Sequence, residues 1–171
     1  MKIILLGYMG SGKSVIGKSL SKTMHLPFLD LDQYIQDKEK LSINAIFEQK
    51  GEIYFRKIEH HYLKELVALD KKFILSLGGG TPCYGSNMEL ILASDAISIY
   101  LQASVKTLLE RLDHGKSKRP LIAQLSNEEL TEFIAKHLFE RSFHYQQAHK
   151  KIKVDHKTLD EICTEIRILL H

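Results

Sequence analysis

The densest chemical signal in the chain is an octet, Gly7-Tyr8-Met9-Gly10-Ser11-Gly12-Lys13-Ser14. It fits the spacing GxxxxGK[ST] at every fixed position, after an apolar strand-like run and before a helix-like one. Glycines let a backbone wrap close enough for its N–H groups to point at phosphate oxygens. A following helix N-terminus adds its positive dipole end. On this reading Gly10, Ser11, Gly12, Lys13, Ser14 and Val15 cradle a nucleotide. Lys13 reaches its β- and γ-phosphates, and the Ser14 hydroxyl is a ligand of Mg²⁺. The bland alternative is a glycine-rich turn with no ligand. A dinucleotide fingerprint, GxGxxG, fails, because its third glycine would fall on Val15. The motif therefore points to a nucleoside triphosphate with Mg²⁺ and leaves the phosphate acceptor open.

Water as the acceptor is disfavoured. A motor ATPase usually ends a second apolar strand in Asp or Glu, whereas Phe73 to Leu77 runs into Gly78-Gly79-Gly80. A GTPase needs NKxD for guanine, and the chain has none. A small molecule is the better candidate. Asp30 and Asp32 close the run Phe28 to Asp32; in an extended segment, residues two apart share a face, so both carboxylates could enter one pocket. One would help order Mg²⁺ and the other would position an attacking hydroxyl. Equally, Asp32 could cap the next helix. Arg56 suits a planar, bidentate carboxylate or phosphate contact, or else a surface pair with Glu59 three residues on. The three glycines suggest close approach to bare backbone, or a tight turn. Arg141 and Tyr145, four apart, could be a surface pair.

The elements that must hold these residues follow from periodicity. Short apolar strands are expected at Lys2–Leu6, Phe28–Asp32, Phe73–Leu77, Ala96–Leu101 and Lys151–Val154. Helices are expected at Lys13–Met24, Asp32–Glu39, Ser42–Gln49, Lys50–Leu69, Asn87–Ala93, Ser104–Leu112, Ser126–Ala148 and Thr158–Leu170. Alternating strands and helices give an α/β fold, a parallel sheet with helices on both faces, and loops along one sheet edge. Every motif above falls on such a loop. Asp113 to Gln124 has no periodicity and carries Lys116, Lys118 and Arg119; it reads as a mobile loop. No repeat or linker divides the 171 residues, so one domain is expected.

Composition sets bounds. Apolar residues make up 44% and charged residues 26%, an ordinary soluble balance. A net charge of +3 suits an anionic ligand but is too weak for nucleic acid. Two cysteines, Cys83 and Cys163, make no CxxC or zinc spacing, and the histidines make no HExxH. Ile3 to Leu6 is too short for a signal-peptide core, and no run is long enough to span a membrane. A reduced cytoplasmic protein, without membrane or nucleic-acid partners, is expected.

Taken together, GYMGSGKS at 7–14, FLDLD at 28–32, GE at 51–52 with FR at 55–56 and Glu59, GGG at 78–80, RPL at 119–121 and R-x-x-x-Y at 141–145 resemble the shikimate kinase family. This is a nucleoside-monophosphate-kinase-like P-loop family, and the likeness spans about residues 1 to 155. The resemblance implies a three-layer P-loop kinase fold with five parallel strands, substrate-binding helices at about 30–61 and a mobile lid at about 113–124. It implies transfer of a phosphoryl group from ATP, with Mg²⁺, to the 3-hydroxyl of shikimate, a step toward the aromatic amino acids, by a monomer. Arg56 and Arg141 resemble the carboxylate-binding arginines, Asp32 the residue on the ring hydroxyls, and Gly78, Gly79 and Gly80 the stretch lining the acceptor pocket. Asp30 and Ser14 resemble the Mg²⁺ shell, Arg119 the lid arginine over the phosphates, and Arg111 the arginine beside adenine. Two features depart from the pattern. Val154-Asp155 is followed by no proline, so no adenine contact is carried over there. Thr81-Pro82-Cys83 has no assigned role, although Cys83 would more readily pack than line the pocket.

Overall fold

The computed structural model describes residues 1–113 and 122–170. Five strands form one parallel sheet: β1 (Lys2–Leu6), β2 (Phe28–Asp30), β3 (Phe73–Ser76), β4 (Ala96–Gln102) and β5 (Lys150–Lys153), in the order β2-β3-β1-β4-β5. Seven helices connect or flank them among the described residues: α1 (Lys13–Met24), α2 (Leu31–Glu39), α3 (Ile43–Ala68), α4 (Asn87–Ala93), α5 (Val105–Asp113), α6 (Asn127–Tyr145) and α7 (Leu159–Leu169). From β1 the chain crosses outward to β2; from β3 it crosses back over β1 to β4. With right-handed crossovers these opposite directions put α1 and α4 on opposite faces, which makes three layers.

Register decides what the sheet presents. Leu5 pairs with Ser76, and Ser76 with Asp30, so β1, β3 and β2 end at one level. The octet, the Asp30–Asp32 segment and the glycine turn therefore leave side by side from one edge, as in other open α/β sheets that bind ligands at their carboxyl ends. The four apolar residues of β1 are fully buried, as suits a central strand covered on both faces. Lys2 is buried too, and donates from Nζ to Val67 O at 2.8 Å and Asp95 Oδ1 at 2.6 Å. The edge strand β5 shows Lys150, Lys151 and Lys153 to solvent, charges that oppose pairing with another chain. Against β2, α1 sits so close that a Cβ on Gly17 would lie 2.3 Å from the Phe28 ring.

Two expected boundaries move for physical reasons. β2 stops at Asp30, not Asp32, because the Asp30 side chain accepts from Asp32 N (3.1 Å) and Gln33 N (3.3 Å) and starts α2. Asp30 is thus the N-cap, and Asp32 stands in the first helical turn. The two helices read at 42–49 and 50–69 run on as α3 through a kink at Gly51 (φ 81°, ψ 170°), a conformation glycine tolerates. Ser42 caps α3 as read, its Oγ accepting from Ala45 N at 3.1 Å. Thr81–Cys83 forms a 3₁₀ turn that periodicity did not indicate. No helix among the described residues is long and apolar enough to cross a membrane. Of the lid expected at about 113–124, residues 114–121, Arg119 among them, lie outside the described residues.

Candidate active site

The octet leaves β1 as a tight loop, closed by Ser11 N donating to Tyr8 O at 3.1 Å. Gly12 is the N-cap of α1 in a left-handed conformation (φ 99°, ψ 10°), and a side chain would strain it. The helix thus opens with N–H groups facing the loop's hollow. Lys13 is largely buried and folds over the loop, donating to Gly7 O (2.8 Å) and Tyr8 O (3.0 Å). Ser11 Oγ is fully buried with no hydrogen-bond partner among the described residues. Such an orphan inside a ring of donors fits a loop shaped around an acceptor-rich group. On the outer side, Arg111 from α5 donates from Nη1 to Gly10 O and Ser11 O, both at 3.2 Å.

Asp30 and Asp32 do reach one cavity, but by a route other than strand alternation. Oδ1 of Asp30 is taken by the cap, and Oδ2 accepts from Ser14 Oγ at 3.3 Å. Ser14 and Asp30 thus offer two neighbouring oxygen donors at the helix start. That set suits Mg²⁺, which keeps several waters and takes further oxygens from nucleotide phosphates. Asp32, in the first turn of α2, is pushed up to about 6 by burial, with the Asp30 and Glu59 carboxylates adding to the rise and Lys13 and Arg56 opposing it. Near neutral pH it is an ionised carboxylate with a basicity suited to taking a proton.

The glycine turn is both readings at once. It is a tight turn, closed by Thr81 N to Gly78 O at 3.1 Å. It is also the place where three charged groups approach bare backbone. A Cβ on Gly78 would stand 3.2 Å from Asp32 Oδ1; on Gly79, 3.6 Å from Arg141 Nη1; on Gly80, 3.2 Å from Arg56 Nη2. The sequence-predicted residues Asp32, Arg141 and Arg56, from three helices, therefore converge on consecutive glycines. The surface-pair readings of both arginines need correction. Arg56 does pair with Glu59 (Nη1 to Oε2, 2.9 Å), but Glu59 is 1% exposed and its other oxygen accepts from Thr81 Oγ1 at 2.7 Å. Tyr145 is fully buried and donates to Gly79 O at 2.5 Å, while Arg141 lies over the Tyr8 ring at 5.5 Å.

Glu59, Thr81, Tyr84 and Tyr145 were not among the candidate site residues. Glu59 had a readable signal: it interrupts the buried stripe Phe55, Ile58, Leu63 and Leu66 of α3. An acid on a buried stripe needs a partner. Cys83 is half-buried and its thiol is pushed up to about 11 by burial, with Arg141 and Arg56 opposing; it is a packing residue at the turn.

A cavity of about 710 Å³ runs from Asp32, Gly78 and Gly79 past Lys13, Ser14 and Val15 to Arg111, Lys157, Leu159 and Ile162. Arg56, Arg141 and Gly80 do not line it, although the two arginines approach the same glycine turn at Gly80 and Gly79. At the far end, where the expected proline is missing, His156 takes φ 57° and Lys157 pairs with Glu165 at 2.5 Å. Asp155 fixes this loop by accepting from Ser104 N at 2.9 Å. The site thus has the glycine-rich loop at its middle, Asp32 at the glycine end with both arginines close by, and Arg111 and α7 at the other end.

Comparison with known proteins agrees with this layout. The family model for shikimate kinase matches residues 9–170. A shikimate kinase of Flavobacterium johnsoniae is 55% identical over 169 residues, covering 99% of this chain and 98% of the relative. The crystal structure of shikimate kinase from Bacteroides thetaiotaomicron superposes with a TM-score of 0.92 at 30% identity, covering 99% of this chain and 98% of that one. Shikimate kinase from Acinetobacter baumannii, solved in complex with shikimate, gives 0.87 at 32% identity, covering 99% and 92%. The five-stranded parallel sheet is thus that of relatives along nearly the whole chain, and the chain belongs to the shikimate kinase family.

Proposed function

We propose that the chain transfers the γ-phosphoryl group of ATP to the 3-hydroxyl of shikimate, giving ADP and shikimate 3-phosphate, with the residue roles that follow. The observation that carries this reading is the convergence of Asp32, Arg141 and Arg56 on Gly78, Gly79 and Gly80, beside the phosphate loop. Shikimate is a ring with one carboxylate and three hydroxyls. Two arginines at one end and a carboxylate at the other match that pattern of charge and hydrogen bonding.

In the proposed mechanism, Arg56 and Arg141 bind the ring carboxylate and fix the ring's orientation. The glycines let it lie against backbone. Asp32 accepts hydrogen bonds from ring hydroxyls and takes the proton of the 3-hydroxyl as its oxygen bonds to the γ-phosphorus. The bond from that phosphorus to the bridging oxygen breaks, and the electron pair leaves on ADP. Gly10, Ser11, Gly12 and Val15 cradle the phosphates, and Lys13 swings from the loop carbonyls to the β- and γ-phosphates. Ser14 and Asp30 would hold Mg²⁺, which when bound neutralises phosphate charge. Arg111 flanks the base, and Arg119, outside the described residues, belongs to the lid of about 113–124. Little covalent chemistry falls to the protein; it positions groups and neutralises charge. The substrate-binding region at about 30–61 and the lid act within one domain of a cytoplasmic monomer.

Titration calorimetry of shikimate into wild-type protein, Arg56→Ala and Arg141→Ala tests the carboxylate assignment. Each variant should bind roughly tenfold to a hundredfold more weakly, the worth of a lost charged hydrogen bond. A lower melting temperature with affinity intact would make the arginines structural.

A further inference from the structure

Arg56 is held on more sides than an ion pair explains. Its Nη1 meets Glu59 at 2.9 Å and its Nε meets Glu52 at 3.5 Å. The guanidinium carbon also lies 3.6 Å from the centroid of the Tyr84 ring, close enough for a full face-on stack. The Phe55 ring is farther, at 5.0 Å. Tyr84 is itself partly exposed, at 38%, so burial of its own surface does not account for its placement. Its backbone is fixed instead. It follows the 3₁₀ turn, whose Thr81 is pinned by Glu59 (2.7 Å) and by Asn87 Nδ2 on Thr81 O (2.8 Å). Asn87 is held in turn by His60, at 2.7 Å. A Cβ on Gly80 would meet Tyr84 Cε2 at 3.4 Å and Arg56 Nη2 at 3.2 Å. Ring, guanidinium and glycine thus interlock.

We infer that Tyr84 is a positioning residue for the acceptor's carboxylate: its ring covers one face of the Arg56 guanidinium and leaves the in-plane Nη2 edge, beside Gly80, to receive the anion. Rotation about the last bonds of an arginine is the main freedom lost on binding a planar carboxylate. Glu59 and, at longer range, Glu52 fix two nitrogens, which leaves the plane free to tilt about the line joining those contacts. A ring stacked on the face removes the tilt. The ring's negative face also lies on the guanidinium without competing for its donors. The inference rests on the proposed role of Arg56.

The test compares wild type, Tyr84→Ala, Tyr84→Phe and Arg56→Ala, with shikimate and with its analogue bearing a carboxamide in place of the carboxylate. Steady-state ADP release gives KM and kcat, and a melting curve checks the fold. Tyr84→Ala should raise the KM for shikimate roughly three- to twentyfold, the range of a stacked cation–π contact, with kcat within about twofold. Tyr84→Phe keeps the ring face and should restore the wild-type KM. With the carboxamide analogue, wild type and Tyr84→Ala should differ little, since the anion that the stack positions is gone. A KM unchanged in Tyr84→Ala, or raised equally for both acceptors, overturns the inference. Failure of Arg56→Ala to raise the shikimate KM overturns instead the carboxylate site on which it rests.

Discussion

Replacing Asp32 by asparagine should make the protein more stable and nearly inactive. Asp32 keeps its charge at a cost: burial and the neighbouring Asp30 and Glu59 carboxylates raise it from 3.8 to about 6. At roughly 1.4 kcal/mol per unit, that rise opposes folding by about 3 kcal/mol once the group is ionised in both states. The sign follows from proton binding. The folded protein holds this proton more tightly than the unfolded chain does. Above pH 6 both states are ionised and the full penalty applies; as the pH falls from about 6 to about 4 the folded state takes up its proton and the penalty disappears. Asparagine is neutral throughout and nearly the same size, so it escapes the penalty at high pH only. Melting curves of wild type and Asp32→Asn at pH 8 and pH 4 measure this, because every other titrating group is common to both proteins. At pH 8 the variant should melt roughly 5–10 °C higher; at pH 4 the two should nearly coincide. Turnover should fall by roughly two to four orders of magnitude, since a positioned base is lost, while ATP binding is little changed. A variant less stable at pH 8, or offset equally at both values, would refute the reasoning. So would normal turnover.

Three further substitutions probe other parts. Ser14→Ala removes one of the two oxygens proposed for Mg²⁺; the Mg²⁺ concentration for half-maximal activity should rise severalfold, with shikimate affinity unchanged, and an unaltered metal dependence would remove the assignment. Glu59→Gln can still accept from Thr81 but leaves Arg56 only its longer ion pair with Glu52; since Arg56 also reaches solvent, the loss should be about 2 kcal/mol, the worth of a charged hydrogen bond, read by urea unfolding. Gly17→Ala forces a methyl onto the Phe28 ring at the α1–β2 contact; it should cost about 1–3 kcal/mol by the same measurement. Its KM for shikimate should stay near the wild-type value, because the contact lies below the site.

How far the sequence reads depends on whether a feature is local. β1, α1 and α4 lie where periodicity places them, because their patterns are set by immediate neighbours. The octet is legible because its backbone needs specific residues. Strand alternation lets Asp30 and Asp32 share one pocket, with Asp32 as a helix cap the open alternative; they do share it, but Asp30 is the cap and ends the strand two residues early. Competition between a side-chain acceptor and the sheet ladder decides that boundary, and a propensity pattern does not weigh it. The arginines were legible only as alternatives. Nothing local says that Glu59 meets Thr81 or that Tyr145 reaches Gly79, sixty-six residues away. Such contacts join elements far apart in sequence and exist only in the assembled fold. One clue was available: the stripe that buries Leu130, Ile134 and Tyr145 on α6 passes through Arg141. The far end of the cavity, between Arg111 and α7, was the least legible. Its lining by Lys157, Leu159 and Ile162 comes from the loop before α7 and the helix's first turn, and no motif marks it.

The account's central claim is that the cluster on the three glycines selects the acceptor. A coupled ADP-release assay with Mg²⁺-ATP tests it most directly, offering shikimate, gluconate and a nucleoside monophosphate to the wild-type protein in turn. The account predicts release with shikimate alone. Equal or faster release with gluconate or the nucleotide would leave the phosphate loop standing and contradict the acceptor site, and no release with any acceptor would contradict the catalytic reading as a whole.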